Sequence, residues 1–487
     1  MPSDSVAGAL RRARRWLYLA HRWLGIGVCL LFVLWFVSGL VMMYVRVPAL
    51  DDAEAQAGLA PIVWQRIQLG PDAALAAAGL AAWPRELRLQ MLLDEPVYRL
   101  LDWDGRRSTW SAVDGRAITA IDADAAATIA ARFGNANPLR QQTLDYDLWT
   151  AHQRFATWRP LHRIRLDDAA GTDLYVSSRT GEVVLDTRRW ERFWNRLGVG
   201  LHYLYFAELR AHAPLWRQMV LWVSGIGMAV AFSGTVIGVL RMRLKRRYKG
   251  GRISPYRGWM ARHHLGGLAG GVVICTWIFS GWLSMGPNPW PARAVPTQAM
   301  LEAYAGHDQP RFGLAATALQ QLAATPAREA RFQWLGGQPL LLLADADARI
   351  TVLDGASLQP HTLDDVAIFT AARRLLPGAE LIAALRLETE DSYWYSHHRS
   401  RPLPVLRAVF DDERRSWFHL DPATGQLLAW LDQGGRQHRW LFNALHSFDI
   451  GWLRQRPLWD MVLWALSLAG LTVSISGVVV GWRRLRR

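Results

Sequence analysis

Cysteine is almost missing: Cys29 and Cys275 are the two in 487 residues, each inside a long apolar run. That excludes a disulfide scaffold, a cysteine-based zinc site and a cysteine-ligated iron–sulfur cluster. No Cys-x-x-Cys-His occurs, so covalently attached c-type haem is excluded as well. The chain also lacks a GxGxxG after a strand, a Walker loop, a GxSxG and an HExxH. No nucleotide or flavin site is therefore expected. Charge is scarce too, at 20% against 51% hydrophobic residues. That is too apolar for disorder and too charged for a chain buried wholly in lipid.

Four runs hold no charged residue at all: Leu24–Val45, Met219–Leu240, Leu265–Met285 and Met461–Trp482. About 20 apolar residues cross a bilayer, so each predicts a membrane span. The first is too long for a cleavable signal and lacks small-residue cleavage chemistry after it.

Acidic residues are nearly absent from three short segments beside the spans. Residues 1–22 carry five Arg against Asp4, segment 241–262 carries nine Lys/Arg, and segment 483–487 carries four Arg. The net charge of +15 lies almost wholly there. The positive-inside rule then makes both termini and the 241–262 loop cytoplasmic, with anionic lipid as their partner. Nucleic acid is not the expected partner, because the positives flank spans. The expected division is a cytoplasmic N terminus and first span to 45, an outer domain 46–214, and a second span 215–241. A basic loop 242–262, a third span 263–286, an outer domain 287–457, and a last span with a basic tail 458–487 follow.

The two halves repeat at an offset of about 242 residues. His21-Arg22-Trp23-Leu24-Gly25 with Trp35 and Ser38-Gly39 matches His263-His264-Leu265-Gly266-Gly267 with Trp277 and Ser280-Gly281. Met219–Trp222 matches Met461–Trp464, and Ser233-Gly234 matches Ser476-Gly477. In the outer segments Arg159-Pro160-Leu161 matches Arg401-Pro402-Leu403, and Thr180-Gly181 matches Thr424-Gly425. Two parallel repeats predict a pseudo-two-fold axis along the membrane normal. Alternating apolar residues broken by Asp104-Gly105 and Asp114-Gly115 predict a hairpin over 85–118, with 328–358 as its counterpart. Thr-Gly turns at Arg179–Gly181 and Ala423–Gly425 predict second hairpins over 161–185 and 403–428. Helical stretches are expected at 123–133 and 364–375. Aromatic-rich stretches at 190–206 and 440–448 suit the membrane interface. Many of the 26 Trp sit there and at span ends, as anchors.

Histidine placement is the sharpest feature. His21 and His263 occupy equivalent positions at the start of spans one and three; His202 and His446 occupy equivalent positions on the outer interfacial stretches. Ionisable residues at membrane depth are functional candidates. Two facing helices that each supply a neutral imidazole can hold a haem iron from both sides. His264 is an alternative to His263, since only one of two neighbours on a helix faces the core. His152, His397 and His398 lie in the outer domains and are read as structural or surface residues. With no nucleotide or flavin site, any electron must come from a cytoplasmic donor or a quinol.

At these residues the sequence resembles the PepSY-associated transmembrane family, and within it the bacterial iron-uptake and ferric-siderophore reductases. The resemblance rests on His21–Gly25 with Ser38-Gly39-Leu40, Arg401–Pro404, Asp421–Gly425, Arg439-Trp440-Leu441, Leu445-His446-Ser447 with Asp449, and Arg456–Asp460. It implies an α+β inner-membrane protein: a four-helix transmembrane bundle from two tandem repeats, each with a PepSY-like periplasmic domain. It further implies one or two bis-histidine b-type haems, with His21, His263, His202 and His446 as ligands. The implied activity is reduction of a periplasmic ferric siderophore or other iron chelate. The alternative is a non-enzymatic PepSY membrane module that binds or restrains an envelope partner or protease. Transport is disfavoured by spans without charge.

Overall fold

The structure, a computed structural model, describes residues 3–287, 295–306, 311–397 and 400–487. Four helices are long and apolar enough to cross a membrane, and they fall on the four uncharged runs. They are α1 (Ser3–Met42), the helices Ala213–Arg241 and Gly258–Ser284, and the C-terminal helix Leu458–Leu485. Each extends past its apolar run into the flanking basic residues, because Arg and Lys propagate a helix as well as Leu does.

The outer part of the first sequence half carries β1 (Glu86–Leu92), β2 (Glu95–Leu101), β3 (Arg107–Ser111) and β4 (Ala117–Ile118). Helix α2 (Ala123–Gly134) follows, capped by the Asp122 side chain on Ala125 N. Then come β5 (Pro138–Leu144), β6 (Leu161–Leu166), β7 (Asp173–Ser177) and β8 (Val183–Thr187), and membrane helix α3 (Ala213–Arg241). After membrane helix α4 (Gly258–Ser284), the second half carries β9 (Glu329–Leu335), β10 (Gln338–Ala344) and β11 (Ile350–Asp354). Helix α5 (Asp365–Ala372), β12 (Leu381–Leu387), β13 (Val405–Phe410), β14 (Trp417–Leu420), β15 (Leu427–Leu431) and membrane helix α6 (Leu458–Leu485) complete it. The fold is thus α+β, as expected. The predicted hairpins are present, and β5 and β12 add a strand to each second hairpin.

The strands form three antiparallel sheets. Two are four-stranded, in the orders β5-β6-β7-β8 and β12-β13-β14-β15. The third is seven-stranded, in the order β11-β10-β9-β1-β2-β3-β4, so β1 and β9 join the two halves in one sheet. Tight turns keep the sheets in contact. Gly181 and Gly425 have φ of +70° and +69°, and a Cβ there would lie 2.7 Å from Leu92 or 2.9 Å from Leu335. Only glycine fits both the dihedral and the space.

At the β1–β9 join Arg88 stands directly opposite Arg331. Like charges in that position repel, so the pair depends on acids. Glu329 lies 3.3 Å from Arg88 and 3.0 Å from Arg331, and Glu182 lies 2.9 Å from Arg88. Arg99, almost fully buried one strand away, donates to Gln90 Oε1 and Thr180 O at 2.6 Å. Gln90 in turn donates to Glu329 at 2.5 Å.

In the membrane region α1 packs on α3 and α6, and α4 packs on α3 and α6. This is a closed square in which α1 and α4 are diagonal. Both chain termini and the 242–257 loop lie at one end of the square, the sheets at the other. We call these the terminal end and the sheet end. Outward-facing Trp222, Phe232 and Val272 are about two-thirds or more exposed. Such apolar faces belong in lipid.

Burial alone would raise the Glu182 carboxyl, but Arg99, Arg88 and Arg107 outweigh it and hold its pKa at about 2. A carboxyl lowered in the fold stabilises fully above its ordinary range and loses that contribution as pH falls from about 4.5 toward 2. The unfolding midpoint of the outer sheets should therefore fall over that interval. Glu182→Gln should lower the midpoint at pH 7 and flatten the slope, as read by circular dichroism melts against pH.

Candidate functional site: two histidine pairs in one bundle

Four Ser-Gly dipeptides of the membrane helices face histidines, one on each helix: Ser38-Gly39, Ser233-Gly234, Ser280-Gly281 and Ser476-Gly477. A fifth, Ser224-Gly225 on α3, bonds only within its own helix. Each of the four seats one histidine. His21 Nδ1 lies 3.2 Å from Ser233 Oγ and 3.1 Å from Val230 O. His263 Nδ1 lies 3.2 Å from both Ser476 Oγ and Val473 O. His202 Nδ1 lies 3.1 Å from Ser38 Oγ; His446 Nδ1 lies 3.1 Å from Ser280 Oγ and from Trp277 O. The glycine of each dipeptide lies under the ring. A Cβ at Gly234 would come within 2.6 Å of the His21 ring, and at Gly281 within 3.3 Å of the His446 ring.

This seat fixes the tautomer. Every one of the four serine hydroxyls donates to the carbonyl three residues back: Ser38 to Trp35, Ser233 to Val230, Ser280 to Trp277 and Ser476 to Val473. The serine oxygen can then only accept. Nδ1 must carry the proton, and Nε2 keeps its lone pair. Among the described residues no Nε2 of these four has a hydrogen-bond partner. A neutral imidazole with Nδ1–H held by the protein and Nε2 open is the form that ligates metals.

The seats bring the rings together in pairs. His21 and His263, on the diagonal helices α1 and α4, have ring centres 6.3 Å apart at 33°. His202 and His446 have ring centres 6.2 Å apart at 76°. With a metal–imidazole bond of about 2.0 Å and a ring nitrogen about 1.2 Å from its centre, two imidazoles trans on one metal have centres about 6.4 Å apart. Both pairs match.

His202 and His446 are not on spans. They lie just past short wide-turn segments, Arg196–Gly200 and Arg439–Ala444, that run on from Arg189–Asn195 and Gln433–His438. Two residues beyond each, Leu204 (φ +50°) and Phe448 (φ +52°) take left-handed backbone. That conformation is uncommon for such side chains, and here it turns the chain toward α3 or α6. Trp35 Nε1 donates to His202 O at 2.9 Å, and Phe442 stacks on His446 at 5.1 Å.

Each pair faces a cavity. The one at the terminal end is about 450 Å³, lined by His21, His263 and the glycines Gly25, Gly234, Gly267 and Gly477. The one at the sheet end is about 390 Å³, lined by His202, His446, Trp35, Trp277, Gly39 and Gly281. Both lie in the range of cofactor sites. Phe32 and Ile274 line both cavities and form the septum between them. Ser38 and His21 share α1, which puts the two seats roughly 25 Å apart along the axis.

The remaining expected residues fall elsewhere. His264 lines the terminal-end cavity, but both its nitrogens are engaged at 2.9 Å, Nδ1 with Ser254 Oγ and Nε2 with Gly238 O. His152 accepts from Arg154 N at 3.0 Å and starts a helical turn. His397 Nδ1 meets Asp449 at 2.6 Å, beneath Tyr395 and beside Trp459. His398 and Arg399 lie outside the described residues. Sequence reasoning missed the serine seats. The four Ser-Gly pairs were visible as repeats, but nothing local links them to histidines more than 160 residues away.

Gly234→Ala should cost about 1–3 kcal/mol by driving its methyl into His21. Gly27→Ala, where a Cβ meets nothing within 4 Å, should be neutral or stabilising. Thermal melts of the detergent-solubilised protein compare them. No family model matches this sequence, and no curated protein matches it.

Proposed function

We propose that the chain is a bacterial inner-membrane oxidoreductase that holds two b-type haems and carries electrons across the membrane to a ferric chelate, with a siderophore complex as substrate. The observation that carries this reading is the double match of imidazole spacing, 6.3 and 6.2 Å, with all four Nδ1 atoms seated on serine. His21 with His263, and His202 with His446, would each hold the iron of one haem between their Nε2 atoms. The glycine-lined, apolar cavities suit a flat ring.

When bound, haem supplies one-electron redox chemistry that requires no acid–base partner. The chain's residues do the rest. The serine seats hold the imidazoles neutral and aimed. Phe32 and Ile274 keep the two sites apart yet in contact. The apolar linings exclude water. The electron enters at the terminal end from a quinol or a cytoplasmic donor and leaves at the sheet end. There Fe(III) in the chelate gains one electron, and the resulting Fe(II) is held far less tightly by hard oxygen donors. The basic segments favour a cytoplasmic terminal end and a periplasmic sheet end. The matching order of spans, seats and sheets supports descent by tandem duplication, and with it PepSY-like outer domains.

The purified protein, oxidised and then reduced with dithionite, should show a low-spin b-type α-band at two haems per chain. His21→Ala/His263→Ala and His202→Ala/His446→Ala should each lose one. The near-perpendicular His202–His446 planes should give the more anisotropic electron paramagnetic resonance signal of the two. A colourless protein from haem-supplied cells, or unchanged haem in both double variants, overturns the reading.

A further inference from the structure

The two cavities differ in charge. Arg22 and Arg484 line the terminal-end cavity, which has no acidic lining residue. Among the described residues neither guanidinium has a hydrogen-bond or ion-pair partner. No Lys or Arg lines the sheet-end cavity. Arg217, near its rim, is engaged by Met285 O at 2.9 Å and by Gly286 O. The difference is local in origin. Arg241, which ends α3 as Arg484 nears the end of α6, is held at 2.7 Å by the Tyr18 hydroxyl, whereas Arg484 has no such partner.

Two open guanidiniums at the rim of an otherwise apolar cavity favour anionic oxygens carried by an apolar body. Arg22 follows the ligand His21 on α1, and Arg484 lies two turns beyond the Ser476-Gly477 seat of His263 on α6. Each half of the chain therefore brings one guanidinium to this end.

We propose that the terminal-end cavity is a carboxylate-selective site in which Arg22 and Arg484 bind the anionic oxygens of the ligand, while the sheet-end cavity takes the same ring without a charged anchor. On the haem reading, on which this inference rests, those oxygens are the propionates, and the terminal-end group points them toward the basic face. An anionic lipid headgroup offers the same chemistry.

The test titrates full-length protein, made under haem limitation and held in phosphatidylcholine nanodiscs, with haem and with haem dimethyl ester. The ester keeps the ring and caps both carboxylates. In wild type the ester should bind about 10–100-fold more weakly than haem at one site only. That site should be the one left in His202→Ala/His446→Ala. In Arg22→Gln/Arg484→Gln, haem should fall to the affinity of the ester, and the ester should not change. The comparison of ligands on wild type stands even where that variant fails to fold. Equal affinity for both ligands at both sites, or equal weakening of the ester at both, overturns the proposal. Loss of selective phosphatidylglycerol binding in the arginine variant, with no ester effect, assigns the pair to lipid and overturns it too. Failure of wild type to bind either ligand removes the haem reading itself and this inference with it.

Discussion

A serine hydroxyl that has already given its proton to its own helix is the contact on which the membrane half of this molecule turns. Having donated three residues back, each of Ser38, Ser233, Ser280 and Ser476 can only accept. That one restriction settles which nitrogen of the facing histidine holds the proton and which way the ring points. The following glycine makes the restriction geometric, since the imidazole rests where a Cβ would be. Four repetitions give four rings that are neutral, immobilised and open at Nε2. Buried polar groups are costly unless bonded, so the same contacts that aim the histidines also make them tolerable inside a bilayer.

The spans were legible because lipid imposes length and apolarity with no regard to partners. The histidine pairs were legible because short sequence matches at an offset of about 242 residues set His21 against His263 and His202 against His446. What holds them was not. Ser-Gly in a membrane helix equally suits close packing, and its partner lies across the fold. His264 shows the converse: adjacency left it open beside His263, and only the contacts with Ser254 and Gly238 separate the two roles. In the outer part, alternation revealed β1–β3 and β9–β11 because each has a buried face. It could not reveal β5, whose residues are nearly all exposed. Nor could it show that β1 pairs with β9, since the register there joins residues more than 240 positions apart.

The contacts divide into two kinds. Seats act within a half: His21 and His202 belong to the first half and rest on α3 and α1, while His263 and His446 belong to the second and rest on α6 and α4. The ring-to-ring pairs act between halves, as do the β1–β9 register and the Arg88–Glu329 pair. Each half thus builds complete imidazole seats by itself but supplies only one ring of each facing pair. A group bound between the rings would cross-link the halves at both ends of the bundle. Because such a group binds only the assembled form, its binding energy adds to the stability of that form. The ionic sheet join does the same work on the outside without a ligand. Its cost is a buried cluster in which Glu182 and Glu329 must stay ionised among Arg88, Arg99 and Arg331, since removing one partner leaves an uncompensated charge. The sheet join and the histidine pairs thus bring the same two halves together at two levels of the molecule. Ring centres held 6.3 and 6.2 Å apart by the protein's own contacts would let a group enter between them with little rearrangement.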